Sequence, residues 1–206
     1  EVIVVDDGSR DATARLVRDY PAGAFRVELL ERRKNGGYGA AMKDGLALAR
    51  QSKPDVVACI HADGQYAPEV LPELIEQLSQ RRLALLQGSR IAGGTALRGG
   101  MPIYKYVGNA LLNLIENQTL GLSLTDYHSG YLVYGAAALD LPFSTLSNSF
   151  DFDLEVIATA RAHGLPVGEA PIPTHYGDEV SHLNPLTYGL RVLRVMWNYQ
   201  RGRYAP

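Results

Sequence analysis

The chain has 206 residues, 46% hydrophobic and 20% charged, an ordinary globular composition with enough length for one domain and a real core. A formal net charge of −2 gives no sign of a nucleic-acid surface or a polyanion partner, so no nucleic acid is expected as a partner. The single cysteine, Cys59, excludes an internal disulfide, and no uninterrupted apolar run is long enough to span a bilayer.

Apolar runs and helical patterns alternate from the first residue. Residues 2–5 (Val-Ile-Val-Val) read as a strand, and 11–20 as a helix with Ala12, Leu16 and Val17 facing inward and Ser9 or Asp11 placed to cap it. Residues 25–30 read as a strand and 37–50 as a helix. Residues 56–60 form an apolar strand, and 68–81 a helix opened by Pro68 with Val70, Leu71, Leu74, Ile75 and Leu78 as its apolar stripe. Residues 83–87 give another strand. This order predicts an α/β fold with a mostly parallel, doubly wound sheet and helices on both faces.

The second half is less regular. Residues 91–102 contain Gly93, Gly94, Gly99 and Gly100 and read as a mobile loop able to act as a lid. Helices are expected over 104–119, 152–163 and 187–199, and strands over 129–134 and 167–172. No internal repeat or low-complexity linker interrupts the chain.

Polar groups gather where strands end, the place where open α/β sheets bind ligands. After the strand at 56–60 come His61, Asp63 and Gln65, at alternate positions. One nitrogen and two kinds of oxygen donor suit a divalent cation such as Mg²⁺ or Mn²⁺, which can hold a diphosphate; a solvated Asp-Gly turn is the competing reading. Asp6 and Asp7 end the first strand, where carboxylates can accept hydrogen bonds from a ribose or a base. Gly36, Gly37 and Gly39 lack the spacing of a phosphate loop and suit a tight turn with close helix packing. Arg90 ends the strand at 83–87, where a guanidinium can meet a phosphate with two hydrogen bonds. Asp126 and His128 precede the strand at 129–134, as base or ligand, or as a structural histidine in the case of His128. Asp151, Asp153 and Glu155 fit acids at a helix start.

Taken in order, VVDDGSRDAT, NGGYGAAMKDGL, HADGQYAPE, GSR, TDYHSGYLVY, FDFDLEV and EAPIPTHY resemble the family 2 inverting glycosyltransferases of the GT-A fold, the nucleotide-diphospho-sugar transferases. The resemblance is greatest to the polyprenyl-phosphate branch that includes dolichol-phosphate mannose synthase. It implies one catalytic domain over residues 1–206, with a further strand expected upstream of Glu1. It implies that Asp6, Asp7, Asp63 and Arg90 bind the sugar nucleotide. His61, Asp63 and Gln65 align with the metal motif, with Mn²⁺ or Mg²⁺ as cofactor. His61 stands where the family has an Asp; imidazole binds Mn²⁺ and binds Mg²⁺ poorly, so the change leaves three readings open: a shifted metal preference, direct contact with the diphosphate, or weakened metal dependence. Arg90 and Asp126 are the expected catalytic residues, Asp126 aligning with an acid that serves as base or orienter beside the acceptor.

The implied reaction moves a sugar from a nucleoside-diphosphate sugar to an acceptor with inversion. The expected acceptor is a polyprenyl phosphate at the cytoplasmic face of a membrane, drawn by Arg98 and Lys105, with peripheral membrane contact. A soluble or polysaccharide sugar hydroxyl is the alternative, and it demands a base at Asp126. A sugar-1-phosphate nucleotidyltransferase, a non-catalytic sugar-nucleotide-binding module and a structural paralogue also stay open.

Overall fold

Each apolar run ends where its hydrophobic period breaks, and the elements follow. They are β1 (Val2–Asp6), α1 (Thr13–Arg18), β2 (Val27–Glu31), α2 (Tyr38–Ala49), β3 (Val56–Cys59), α3 (Leu71–Gln80), β4 (Leu85–Ser89), α4 (Ile103–Leu120), β5 (Leu132–Gly135), α5 (Phe152–Ala162), β6 (Val167–Pro171) and α6 (Pro185–Gln200). The structure is a computed structural model, and it describes residues 1–21, 23, 25–94, 96, 100–173 and 185–206. The chain divides into two compact units, Glu1–Pro54 with Pro142–Phe152, and Asp55–Leu141 with Asp153–Pro206.

In the first unit β1 and β2 pair in parallel, from Val2 opposite Val27 to Asp6 opposite Glu31. The Asp11 carboxylate accepts the Thr13 N–H at the start of α1, 3.0 Å away. Leu16, expected to face inward, is 65% exposed. The helix spans only Thr13–Arg18, too short to build a repeating inward stripe, and buries no residue. Gly37 opens α2 at φ 94°, a left-handed conformation, and a Cβ there would lie 2.5 Å from the Asn148 carbonyl oxygen. That close approach lets Lys43 donate to the Leu146 carbonyl (2.9 Å) and Tyr38 stack on Phe150.

In the second unit the sheet order is β3-β5-β4-β6. β4 and β6 are parallel, but β5 runs antiparallel to both β3 and β4. The sheet is therefore mixed, where alternating strands and helices predicted a mostly parallel one. The connection from β4 through α4 begins and ends at the same end of the sheet, which the order of elements does not reveal. β4 is buried throughout, and Leu132, Val133 and Tyr134 of β5 are fully buried between neighbours on both sides. Leu74 and Leu78 of α3 pack into this core with Leu86, Val133, Tyr131 and Ile172. Val70, Leu71 and Ile75 line its edge, so the expected stripe of this helix faces the core.

Helix α4 is turned against its hydrophobic pattern. Val107, Leu111 and Leu114 are more than half exposed, while Asn113 and Glu116 on the other side are buried. It packs beside α6, whose Val192, Val195 and Met196 point inward. Of the expected lid at 91–102, residues 95 and 97–99 lie outside the described residues. Among the described residues no helix is long and apolar enough to cross a membrane.

Candidate active site

The first group of polar side chains closes β1. The Asp6 carboxylate accepts the Ser9 N–H at 2.8 Å, which turns the chain away from the strand. Asp7 accepts from Arg32 Nη1 at 2.6 Å and from the N–H groups of Gly36 and Gly37, both at 2.9 Å. The glycine segment thus serves the packing and turn expected of it, and its backbone donors wrap the Asp7 carboxylate. Arg32 is steadied in turn by Asp44, 2.8 Å away.

The second group lies in the other unit and begins where β3 stops. The Asp63 carboxylate accepts the Gln65 N–H at 2.9 Å and so fixes the turn that carries the expected metal ligands. His61 Nδ1 lies 4.0 Å from Asp63 Oδ2. The His61 ring lies directly over the Cα of Gly130, in space that any Cβ at 130 would fill. It meets Tyr66 edge-on, and Tyr66 accepts the Gly130 N–H at 3.1 Å. Burial lowers the His61 pKa; the Asp63 charge opposes this and the Arg90 charge adds to it. A neutral imidazole is the form that binds a metal.

Among the described residues no cluster of three or more His, Cys, Asp or Glu side chains is placed to hold a metal. The set on this turn is partial: one imidazole, one carboxylate that is 39% exposed, and the amide of Gln65. Such a mixed set fits a cation whose remaining ligands come from a diphosphate.

Arg90 and Asp126 are held against each other. Arg90 Nε donates to Asp126 Oδ2 at 2.6 Å and its Nη2 to Oδ1 at 2.8 Å, a two-pronged pair with Asp126 fully buried. The Arg90 and His128 N–H groups, both at 3.1 Å, complete the carboxylate's shell. Burial alone would push Asp126 up. The Arg90 charge and hydrogen bonds outweigh it, and the carboxyl sits below its ordinary range.

The segment carrying Asp126 is clamped from several elements. Glu169 of β6 accepts the Thr125 N–H (2.7 Å) and hydroxyl (3.0 Å), and Gln87 of β4 donates to the Ser129 carbonyl (2.5 Å). From α4, Asn113 donates to the Thr125 carbonyl, and Asn117 both donates to and accepts from Leu124. His128 Nε2 lies 3.4 Å from Glu116 Oε2 of α4, and its Nδ1 shares a hydrogen bond with the Tyr188 hydroxyl of α6 at 3.0 Å. Sequence reasoning missed Asn113, Glu116, Asn117, Glu169 and Tyr188. The signal for the first three was present: polar side chains at i, i+3 and i+4, which share one face of a helix.

The expected acceptor-phosphate residue Arg98 lies outside the described residues, as does the side chain of Lys105. Asp153 and Glu155, read as helix-start charges, are buried in the first turn of α5, and Glu155 accepts the Tyr204 hydroxyl at 2.7 Å.

Residues 1–141 match the family described as Glycosyl transferase family 2. An uncharacterized protein of Methanocaldococcus jannaschii is 31% identical over 85% of this chain and 70% of its own length. The UDP-N-acetylglucosamine–dolichyl-phosphate N-acetylglucosaminyltransferase of Methanococcus voltae is 28% identical over 85% of this chain and 74% of its own. Among solved structures, glucosyl-3-phosphoglycerate synthase from Mycobacterium tuberculosis, in complex with Mn²⁺, UDP-glucose and phosphoglyceric acid, matches 99% of this chain and 69% of its own with a TM-score of 0.62 at 18% identity. The likeness carries the GT-A fold.

It also corrects the expected polyprenyl-phosphate acceptor. The same fold is found in an enzyme solved with phosphoglyceric acid, a soluble acceptor. The expectation rests on the resemblance to one branch of the family and on Arg98 and Lys105, and the fold itself is compatible with a soluble acceptor.

Proposed function

Because the chain belongs to glycosyl transferase family 2, we propose that it moves a sugar, with inversion, from a nucleoside-diphosphate sugar to a hydroxyl of a soluble acceptor, residues 1–206 acting as one catalytic domain. In this reading Asp6 and Asp7 serve the nucleoside, and His61, Asp63 and Gln65 serve the diphosphate end. A Mn²⁺ or Mg²⁺ ion held by His61, Asp63 and Gln65 supplies neutralising charge for the leaving diphosphate.

The observation that carries the reading is the buried Arg90–Asp126 pair. A hydroxyl acceptor must lose a proton as it attacks the anomeric carbon, and a carboxylate within reach must take it. Paired with Arg90, Asp126 is a weak base, its carboxyl held low. A phosphate group on the donor or acceptor competes for the Arg90 guanidinium. When Arg90 turns to it, the burial of Asp126 is no longer opposed, its pKa rises, and it becomes a stronger base. Substrate arrival thereby activates the base.

Calorimetry with UDP, GDP and other nucleoside diphosphates, with and without Mn²⁺, is expected to give metal-dependent binding that Asp63→Ala removes. His61→Asp is expected to retain activity and shift metal preference toward Mg²⁺. Asp126→Asn is expected to lose about 10²–10⁴-fold in kcat while keeping nucleotide affinity. Binding without transfer to any of a panel of soluble phosphorylated and sugar hydroxyls would refute the acceptor assignment.

A further inference from the structure

Glu116 is the least expected group in the second unit. It is fully buried on the inward face of α4, and His128 Nε2, at 3.4 Å, is the partner its carboxylate faces. Among the described residues neither Glu116 carboxylate oxygen nor His128 Nε2 makes a hydrogen bond, so their 3.4 Å approach is a contact at ion-pair range, through which the buried carboxylate constrains the ring facing it. The imidazole is held on its other side by Tyr188 of α6 at 3.0 Å. Only 6% of the His128 side chain is exposed. The ring is therefore a joint between two helices, and its own backbone N–H is a donor to Asp126 Oδ1, at 3.1 Å.

We propose that Glu116 and His128 are positioning residues for Asp126: the Glu116–His128–Tyr188 array fixes the backbone N–H that keeps the Asp126 carboxylate in place when Arg90 leaves it. This rests on the proposed exchange of Arg90 between Asp126 and a phosphate. Of the donors on Asp126, the Arg90 side chain supplies two of the contacts, at 2.6 and 2.8 Å, and these are the ones lost in the exchange. The Arg90 backbone N–H stays on Oδ2, and on Oδ1 so does the His128 N–H. Its position depends on a ring fixed from α4 and α6, and Asn113 and Asn117 hold the same segment from α4. The polar inward face of α4 thus has a use that offsets leaving Val107, Leu111 and Leu114 outside.

The test combines variants with a readout that needs no turnover. Glu116→Gln preserves shape and is expected to lower kcat about 5- to 10-fold with donor affinity unchanged. His128→Ala is expected to lower it about 10- to 100-fold, and Tyr188→Phe no more than about 3-fold. In an Asp126→Asn background Glu116→Gln should have no further effect, because it acts through Asp126; a merely structural role would give additive losses. Hydrogen exchange at the His128 amide should speed up about 10-fold in Glu116→Gln, with amides of β1 and β2 unchanged. If His128→Ala fails to fold, Glu116→Gln and the double variant decide alone. Unchanged kcat in Glu116→Gln, additive losses in the double variant, or a His128 amide equally protected in Glu116→Gln would each overturn the proposal. A wild-type chain that transfers no sugar while the His128 amide responds as expected would instead overturn the functional reading.

Discussion

Two carboxylate–arginine pairs sit at strand ends in this protein, and they are built on opposite principles. Asp7 and Arg32 meet at 2.6 Å with both side chains 20% exposed, and backbone N–H groups of a glycine turn share the carboxylate. Asp126 and Arg90 also meet at 2.6 Å, but with exposures of 0% and 11%, inside a clamp of side chains from α4, α6, β4 and β6. Equal distances therefore hide unequal energetics. Water can replace either partner of the first pair, whereas removal of one partner of the second leaves a buried charge alone. The first arrangement suits a carboxylate that shapes a loop and keeps part of its surface open to solvent or a nucleoside, and the second suits a group whose proton affinity changes when its partner moves.

The largest effect should come from breaking the buried pair. Arg90→Met is expected to destabilise the protein by about 3–5 kcal/mol at neutral pH, read by urea denaturation. The pH dependence then distinguishes charge from packing. In the wild type the Asp126 carboxyl is held low, so its stabilising contribution is complete above the ordinary carboxylate value of about 3.9. That contribution is lost as pH falls through the depressed folded value. In Arg90→Met the sign reverses: burial raises the carboxyl, the folded state binds the proton more tightly than the unfolded, and the variant gains stability as pH falls. The gap between the two proteins should be widest at pH 7 and narrow toward pH 4. A gap independent of pH would mean that lost packing, not the buried charge, is responsible.

Glycines beside the two pairs sharpen the contrast. Gly37→Ala puts a side chain at positive φ and 2.5 Å from a backbone oxygen, so backbone must shift; about 1–3 kcal/mol should be lost. Gly130→Ala meets the end of the His61 side chain, which can swing away. Its cost in stability should be less than that of Gly37→Ala, but His61 leaves the metal turn and Mn²⁺-dependent nucleotide binding should weaken. Similar stability losses at both glycines, with Mn²⁺ dependence intact in Gly130→Ala, would remove the distinction.

Much of this was legible in the sequence, because strand ends announce themselves: an apolar run stops and Asp6, Asp7, His61, Asp63 or Arg90 follows. The direction of β5 was not, since it depends on where a long connection returns. Nor was the clamp on Asp126, because Asn113, Glu116 and Glu169 acquire meaning only from partners distant in sequence. Helix α4 shows why: its hydrophobic period favours burying Val107, Leu111 and Leu114, and tertiary packing buries the polar face instead. The acceptor was misread for a related reason. The chain is similar both to a relative whose name specifies a lipid phosphate and, in fold, to an enzyme solved with a soluble acid.

The smallest effect should come from Arg32→Ala. The guanidinium bridges Asp7 at 2.6 Å and Asp44 at 2.8 Å, and Asp44 is 47% exposed. At such a surface, attraction between unit charges 4 Å apart is worth roughly 1 kcal/mol in water and is screened by salt. Asp7 keeps the Gly36 and Gly37 N–H groups when Arg32 is gone, so no buried charge is stranded. The loss should be under about 1 kcal/mol and should shrink further in 1 M salt, while the Arg90→Met loss should hardly respond to salt. Urea denaturation of both variants at low and high salt makes the comparison. A loss above about 2 kcal/mol in Arg32→Ala, insensitive to salt, would place Asp7 in the same class as Asp126. The glycine turn would then hold a carboxylate that depends on its arginine, and not a scaffold that can do without it.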